Sequence, residues 1–260
     1  MSVNARYAPE FKHPKLPDTL YRFKAPIRSL KRRSMNEDDI DAKGHRERLR
    51  KRLLEHGPDA LLDHEVVEFL LTLVIPRIDT KPRAKEMIKE FGGIGALLAA
   101  DGETLIRAGL SEREASAIKI AEASALRMLK SEIIDRPVLS GWQALVDYLT
   151  ADMAHRDIER VRVLHLNGKN ALIRDELVSE GSIDQAAVYV REVIKRALAL
   201  GSASLILVHN HPSGDPAPSR QDIELTRQIS AAGKPLGIVV HDHIVIGRGS
   251  HSSLRAMGLI

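Results

Sequence analysis

The hydrophobic period of this 260-residue chain changes at Ile134-Asp135-Arg136-Pro137. Upstream, from Gly44 to about Glu132, apolar residues recur at spacings of three and four, as in Val66, Val67, Phe69, Leu70, Leu71 and Leu73. That spacing is the mark of helices burying one face. Gly57-Pro58, Pro76, Pro82 and Gly92-Gly93 interrupt the pattern and predict four or five helices. Downstream, Gly141 to Thr150 reads as one more helix, and then the period drops to two, with Val161, Val163 and His165 on one face of a strand reaching Leu166. The two patterns bury different geometries, so the expected class is α+β: an all-helical domain over 42–134 followed by a sheet-containing domain over 138–260. Residues 1–41 carry Pro9, Pro14, Pro17, Pro26 and Lys31-Arg32-Arg33 without a sustained period, and read as a basic, poorly ordered arm. A solvated tail is its plain reading, and an electrostatic contact with nucleic acid or an acidic partner the sharper one.

Within the second domain, Asn167-Gly168 predicts a hairpin turn. The return strand is expected through Ala171, Leu172 and Ile173, then a loop over Arg174 to Ser182, then a helix from about Asp184 carrying Val190, Val193, Ile194 and Ala197. Two unbroken apolar runs read as buried strands: Leu205 to Val208, leading into His209, and Gly237 to Val240, leading into His241-Asp242-His243.

Composition narrows the chemistry. With 43% hydrophobic and 28% charged residues the chain sits in the soluble globular class. No window approaches the roughly 18 apolar residues of a spanning helix, and Met1 to Lys15 lacks the apolar core of a secretory signal, so a cytosolic, membrane-free location is expected. Zero cysteines exclude disulfides, thiolate nucleophiles and Cys-type zinc sites, leaving His, Asp and Glu for any metal. The net charge of +4 is modest, although Arg46, Arg48, Arg50, Lys51 and Arg52 form a basic stripe suited to a weak DNA contact. At 3% aromatics there are few platforms for base stacking, and Trp142 reads as a core anchor.

In an extended segment His209 and His211 point to one side and Asn210 to the other, so two imidazoles can hold one ion. Pro212 ends the strand, the loop Ser213-Gly214-Asp215-Pro216-Ala217-Pro218 turns the chain, and Ser219 opens a helix with Asp222 in its first turn. Hydrolytic zinc sites take three protein ligands and leave a fourth position for water, and His209, His211 and Asp222 would be the three. Ser219-Arg220-Gln221-Asp222 equally fits a capping box, in which Ser219 and Asp222 serve only backbone N–H groups. Residue chemistry alone leaves the two readings level.

His209-x-His211, seven residues, Ser219, two residues and Asp222 match the JAMM signature. The surrounding text, from Val138 through Leu164-His165-Leu166-Asn167, Tyr189-Val190-Arg191-Glu192 and Asp242-His243 to Gly258-Leu259-Ile260, resembles the C-terminal MPN domain of RadC-like proteins. The helical region before it is similar to the same family's N-terminal half. The resemblance implies an MPN fold, a mostly antiparallel sheet flanked by helices. It also implies a zinc metalloprotease or isopeptidase with one Zn2+ per chain on His209, His211 and Asp222, acting on a peptide or protein substrate. In that pattern Glu159 matches the general base, with Glu192 as its rival, and Ser219 matches the serine that donates to the oxyanion. Asn210 and Ser213 are expected to orient the ligands. The family has Asp-His at Asp242-His243, which makes them supports for the site rather than a second His-x-His metal site with His241.

Leu105 to Ala115 resembles a helix-hairpin-helix, whose backbone N–H groups can meet a DNA phosphate; here Ser111, Glu112 and Glu114 degrade it. Two functions therefore compete: a zinc-dependent amide hydrolase with a helical accessory domain, and a DNA-associated protein with the MPN half as scaffold.

Overall fold

The computed structural model describes residues 37–76, 78–134, 136–181 and 188–260. The prolines and Lys31-Arg32-Arg33 of the expected arm, and the helix start expected near Asp184, lie outside these residues. The helical segment runs α1 (Glu37–His56), α2 (Asp63–Val74), α3 (Lys81–Phe91), α4 (Ile94–Ala99), α5 (Gly102–Arg107) and α6 (Glu112–Ser131). Val67 and Leu71 of α2, Ala84 and Met87 of α3, and Ala115 and Ile118 of α6 are spaced three or four apart and close on a core completed by Leu97, Leu105 and Leu110. More helices form than the punctuation predicts because α4 and α5 span 6 residues each, too short to show a period.

The second half runs α7 (Trp142–Met153), β1 (Glu159–Leu166), β2 (Leu172–Gly181), α8 (Val190–Ala199), β3 (Ser204–Asn210), α9 (Arg220–Gly233), β4 (Val239–Ile246) and β5 (His251–Ser253). The sheet order is β2-β1-β3-β4-β5, antiparallel throughout except for β3 beside β4, whose parallel pairing is reached by the crossover through α9. One face, carrying Leu164, Leu166, Ile206, Val208, Ile244 and Ile246, packs on Leu145, Leu149 and Met153 of α7. The other, carrying Val163, Leu205, Leu207 and Val240, packs on α8 and α9 through Val193, Ile194, Ala197 and Ile229. Covered on both faces, β3 is buried at every residue, which is why it reads as an apolar run rather than an alternation. The fold is thus α+β with a mixed, mostly antiparallel sheet.

Two local expectations are corrected and one is refined. The stretch from Arg174 to Gly181 is strand, not loop. Ile173 and Val178 are skipped in the pairing of β1 with β2, and these bulges break the alternation that would have announced it. The expected hairpin turn forms, with its left-handed residue at Asn170, φ 58°, and Asn167 folds its carboxamide back to accept from Lys169 and Ala171 N–H. His241-Asp242-His243 stands inside β4 rather than after it.

Residues 37–260 form one compact unit. Arg156 joins its halves, donating to Ala99 O at 2.5 Å and Glu122 at 2.8 Å on the helical side, with Asp152 of α7 at 3.3 Å. Asp152 also accepts from Arg162, which reaches the fully buried side chain of Asp175. No described helix is long and apolar enough to cross a membrane.

Candidate metal centre

β3 delivers His209 to the end of the covered sheet, where it is 1% exposed. His211 follows the last strand residue but stays extended, because its N–H bonds Ile246 O of β4 at 3.0 Å. Alternation therefore holds, and the two imidazoles share one side, with Nε2 atoms 3.0 Å apart. Between them Asn210 points away. Its Oδ1 accepts from Arg160 N–H at 2.9 Å and its Nδ2 donates to Ile158 O at 3.2 Å, clamping the entry to β1. Asn210 does not touch the histidines as expected; it steadies the strand that begins with Glu159. Ser213 accepts from Asp215 N–H within the loop.

Gly214, at φ 90°, bends that loop back under Arg248, a conformation an L side chain would strain. The bend brings Asp215 O to His211 Nδ1, 2.7 Å away. At the start of α9 the capping box is complete: Ser219 Oγ accepts from Asp222 N–H at 3.1 Å and Asp222 Oδ2 accepts from Ser219 N–H at 2.7 Å. The same carboxylate faces the histidines, with Oδ1 3.4 Å from His209 Nε2 and Oδ2 3.8 Å from His211 Nε2. The carboxylate that caps α9 therefore also faces the histidines, and the cap does not exclude a ligand role.

Ligand atoms of His209, His211 and Asp222 all lie within 4.8 Å of one another, and they are the one such group of three among the described residues. Zinc bonds of about 2.0–2.1 Å in a tetrahedron separate donors by roughly 3.3–3.4 Å, so the observed 3.0, 3.4 and 3.8 Å bracket what a shared ion requires. Burial opposes charge on Asp222, but hydrogen bonds from His209 and Ser219 outweigh it and hold the carboxyl well below the usual range. Two ring nitrogens and an ionised carboxylate converging on one gap form a donor set that fits a divalent cation. His211 and Asp222 remain partly exposed, so the group is open to solvent.

Glu159 stands two residues before Val161, which is in register with His209, so alternation puts it on the histidine face of the sheet. It is half-buried, and its carboxylate makes no hydrogen bond or ion pair with the described residues. Glu192 is exposed on α8 between Arg191 at 3.3 Å and Lys195 at 3.7 Å. His241 is drawn off to Asn170 at 2.8 Å, whereas His243 meets His209 Nδ1 at 2.8 Å. Asp242 accepts from the N–H groups of His243 and Arg255 and from Ser253, bracing β4. His165 is fully buried against Ser202. Thr226, bonded to His243 at 2.6 Å, escaped the sequence reading; its one available signal was its place four residues after Asp222 on the same helix face.

In the helical half Gly109 adopts φ 89° as a hairpin glycine would, but Ser111 N–H is bonded to Glu114, which also pairs with Arg83 at 2.5 Å. Of the basic stripe, Arg46 donates to Ile78 O and Arg52 grips Glu65 with bonds of 2.9 and 2.8 Å.

The pattern of a RadC-like JAB domain matches residues 139–259, the whole of the sheet and its helices. A UPF0758 protein of Rhodobacter capsulatus is 49% identical over 213 residues, which cover 82% of this chain and 100% of the relative. The sequence likeness spans both halves, and the His-His-Asp cluster lies within the residues that match the domain pattern: the chain belongs to the RadC-like family of JAB-domain proteins.

Proposed function

We propose that this protein is a hydrolase of peptide or isopeptide bonds in a cytosolic peptide or protein, working with one zinc ion on His209, His211 and Asp222. The observation that carries the reading is the convergence of these three donors, each held by its own backbone device, at the solvent-open end of a buried strand. When bound, the ion would polarise the scissile carbonyl and lower the pKa of water to about 7. Glu159 is the proton carrier: a half-buried carboxylate on the histidine face, without a partner among the described residues, suits a group that takes a proton from the attacking water and returns it to the departing amine. Ser219 Oγ accepts from Asp222 N–H, which leaves its own proton for the oxyanion of the tetrahedral intermediate.

Zinc content and hydrolysis of a quenched-fluorescent peptide library and an isopeptide-linked substrate separate these roles. Wild type is expected to carry near-stoichiometric zinc, lost in His209→Ala and Asp222→Ala. Glu159→Gln should keep the metal and lose at least a hundredfold in turnover. A metal-free wild type purified without chelators would sink the reading, and an unimpaired Glu159→Gln would remove Glu159 from it.

A further inference from the structure

Thr226 and His243 are buried to 0% and 1% exposure, contribute nothing to the His-His-Asp cluster, and yet are bonded in line with it. The line can be followed proton by proton. Thr226 Oγ donates its single proton to Asp222 O at 2.5 Å, the back-bond a helical threonine makes to the residue four before it. With that proton committed, Thr226 Oγ can only accept from His243 Nδ1, 2.6 Å away. Burial outweighs the pull of the nearby Asp222 and keeps the His243 ring neutral, and its one proton sits on Nδ1, which faces Thr226 Oγ and the Asp222 backbone. His243 Nε2 is then an acceptor, and its partner at 2.8 Å, His209 Nδ1, must be the donor. With Nδ1 fixed as a protonated nitrogen, Nε2, the atom that faces His211 and Asp222, is the one left to give up its proton and bind a cation.

His211 reaches the same tautomer by a shorter route, since Asp215 O can only accept and so holds a proton on His211 Nδ1. The two histidines need different devices because of where they stand. His211 is in a loop with a free carbonyl to fold onto it. His209 lies inside a sheet whose carbonyls are committed to neighbouring strands, so its acceptor has to come from side chains.

We infer that Thr226 and His243 are positioning residues that fix His209 as the Nδ1–H tautomer and so aim its Nε2 lone pair at the cation. The relay ends on the carbonyl of Asp222, so it also ties β3 and β4 to the helix turn that carries the third donor. The effect on metal affinity rests on the proposed zinc centre, whereas the proton order does not.

Two readouts on the full-length protein test this. Thr226→Val removes the hydroxyl with little change of shape; it is expected to weaken zinc by roughly 10–100-fold in chelator competition, with unchanged circular dichroism. Thr226→Ser should restore wild-type affinity. In metal-free wild type, long-range proton–nitrogen correlation spectra of the imidazoles should show Nδ1 protonated in both His209 and His243, and Nε2 bare in His243. Zinc affinity within twofold of wild type in Thr226→Val, or a His209 Nδ1 without a proton in the spectra, overturns the inference. A wild type that binds no zinc removes the metal centre and this role with it, while the spectra still decide the proton order.

Discussion

At the scale of single residues, Asp222 does two jobs with two oxygens. Oδ2 caps α9 by accepting from Ser219 N–H, and Oδ1 faces His209. The jobs should separate by substitution. Asp222→Asn keeps an oxygen for the cap but loses the charge that balances a divalent ion, so zinc should fall below detection while the urea midpoint of the metal-free protein stays near wild type. Asp222→Ala loses both and should cost an additional amount of roughly 1 kcal/mol. A metal-free Asp222→Asn as unstable as Asp222→Ala would show that the charge, not the cap, stabilises this turn. Asn210 illustrates the same economy: the residue between the two histidines is turned outward and clamps Ile158 and Arg160, on either side of Glu159.

At the scale of elements, the contact of α1 with α2 carries the clearest pH signature. Arg52 grips Glu65, which also accepts from Leu62 N–H at the start of α2. The arginine bond lowers the Glu65 carboxyl from 4.5 to about 2. Between those values the unfolded chain binds a proton that the folded one does not, so the stabilisation is complete above pH 4.5 and drains away as pH falls towards 2. Urea midpoints measured across that window should decline in wild type and decline less steeply in Glu65→Gln. Parallel curves would mean that other carboxylates govern the acid limb.

At the scale of the molecule, the helical half is joined to the sheet half through charge. Arg156 bridges Ala99 O, Glu122 and Asp152, and its side chain is 13% exposed. Removing one partner of a buried ion pair costs about 3–5 kcal/mol. Lys119 stays on Glu122 and Arg162 on Asp152, so Arg156→Ala should cost less, on the order of 2 kcal/mol. Because residues 37–260 form one unit, wild type is expected to unfold in a single transition, and Arg156→Ala to separate it into two. A single transition with an unmoved midpoint would show that apolar packing alone holds the halves together.

Read along the chain, period and punctuation were enough to locate the change of architecture near Ile134 and the buried run of β3, because each is written in neighbours within one turn or one strand; His209, His211 and Asp222 stood out only through the JAMM spacing. The same local reading ends the return strand at Ile173, since bulges at Ile173 and Val178 erase the alternation of the rest of β2. It also leaves the cap and the ligand set as rivals, whereas one carboxylate both caps α9 and faces the histidines. Thr226, the outward turn of Asn210 and the proton order reaching His209 were decided only by the tertiary structure. They depend on strand register and on the crossover that lays α9 against β4, which set which atoms meet across long separations in sequence, and no period along the chain records that.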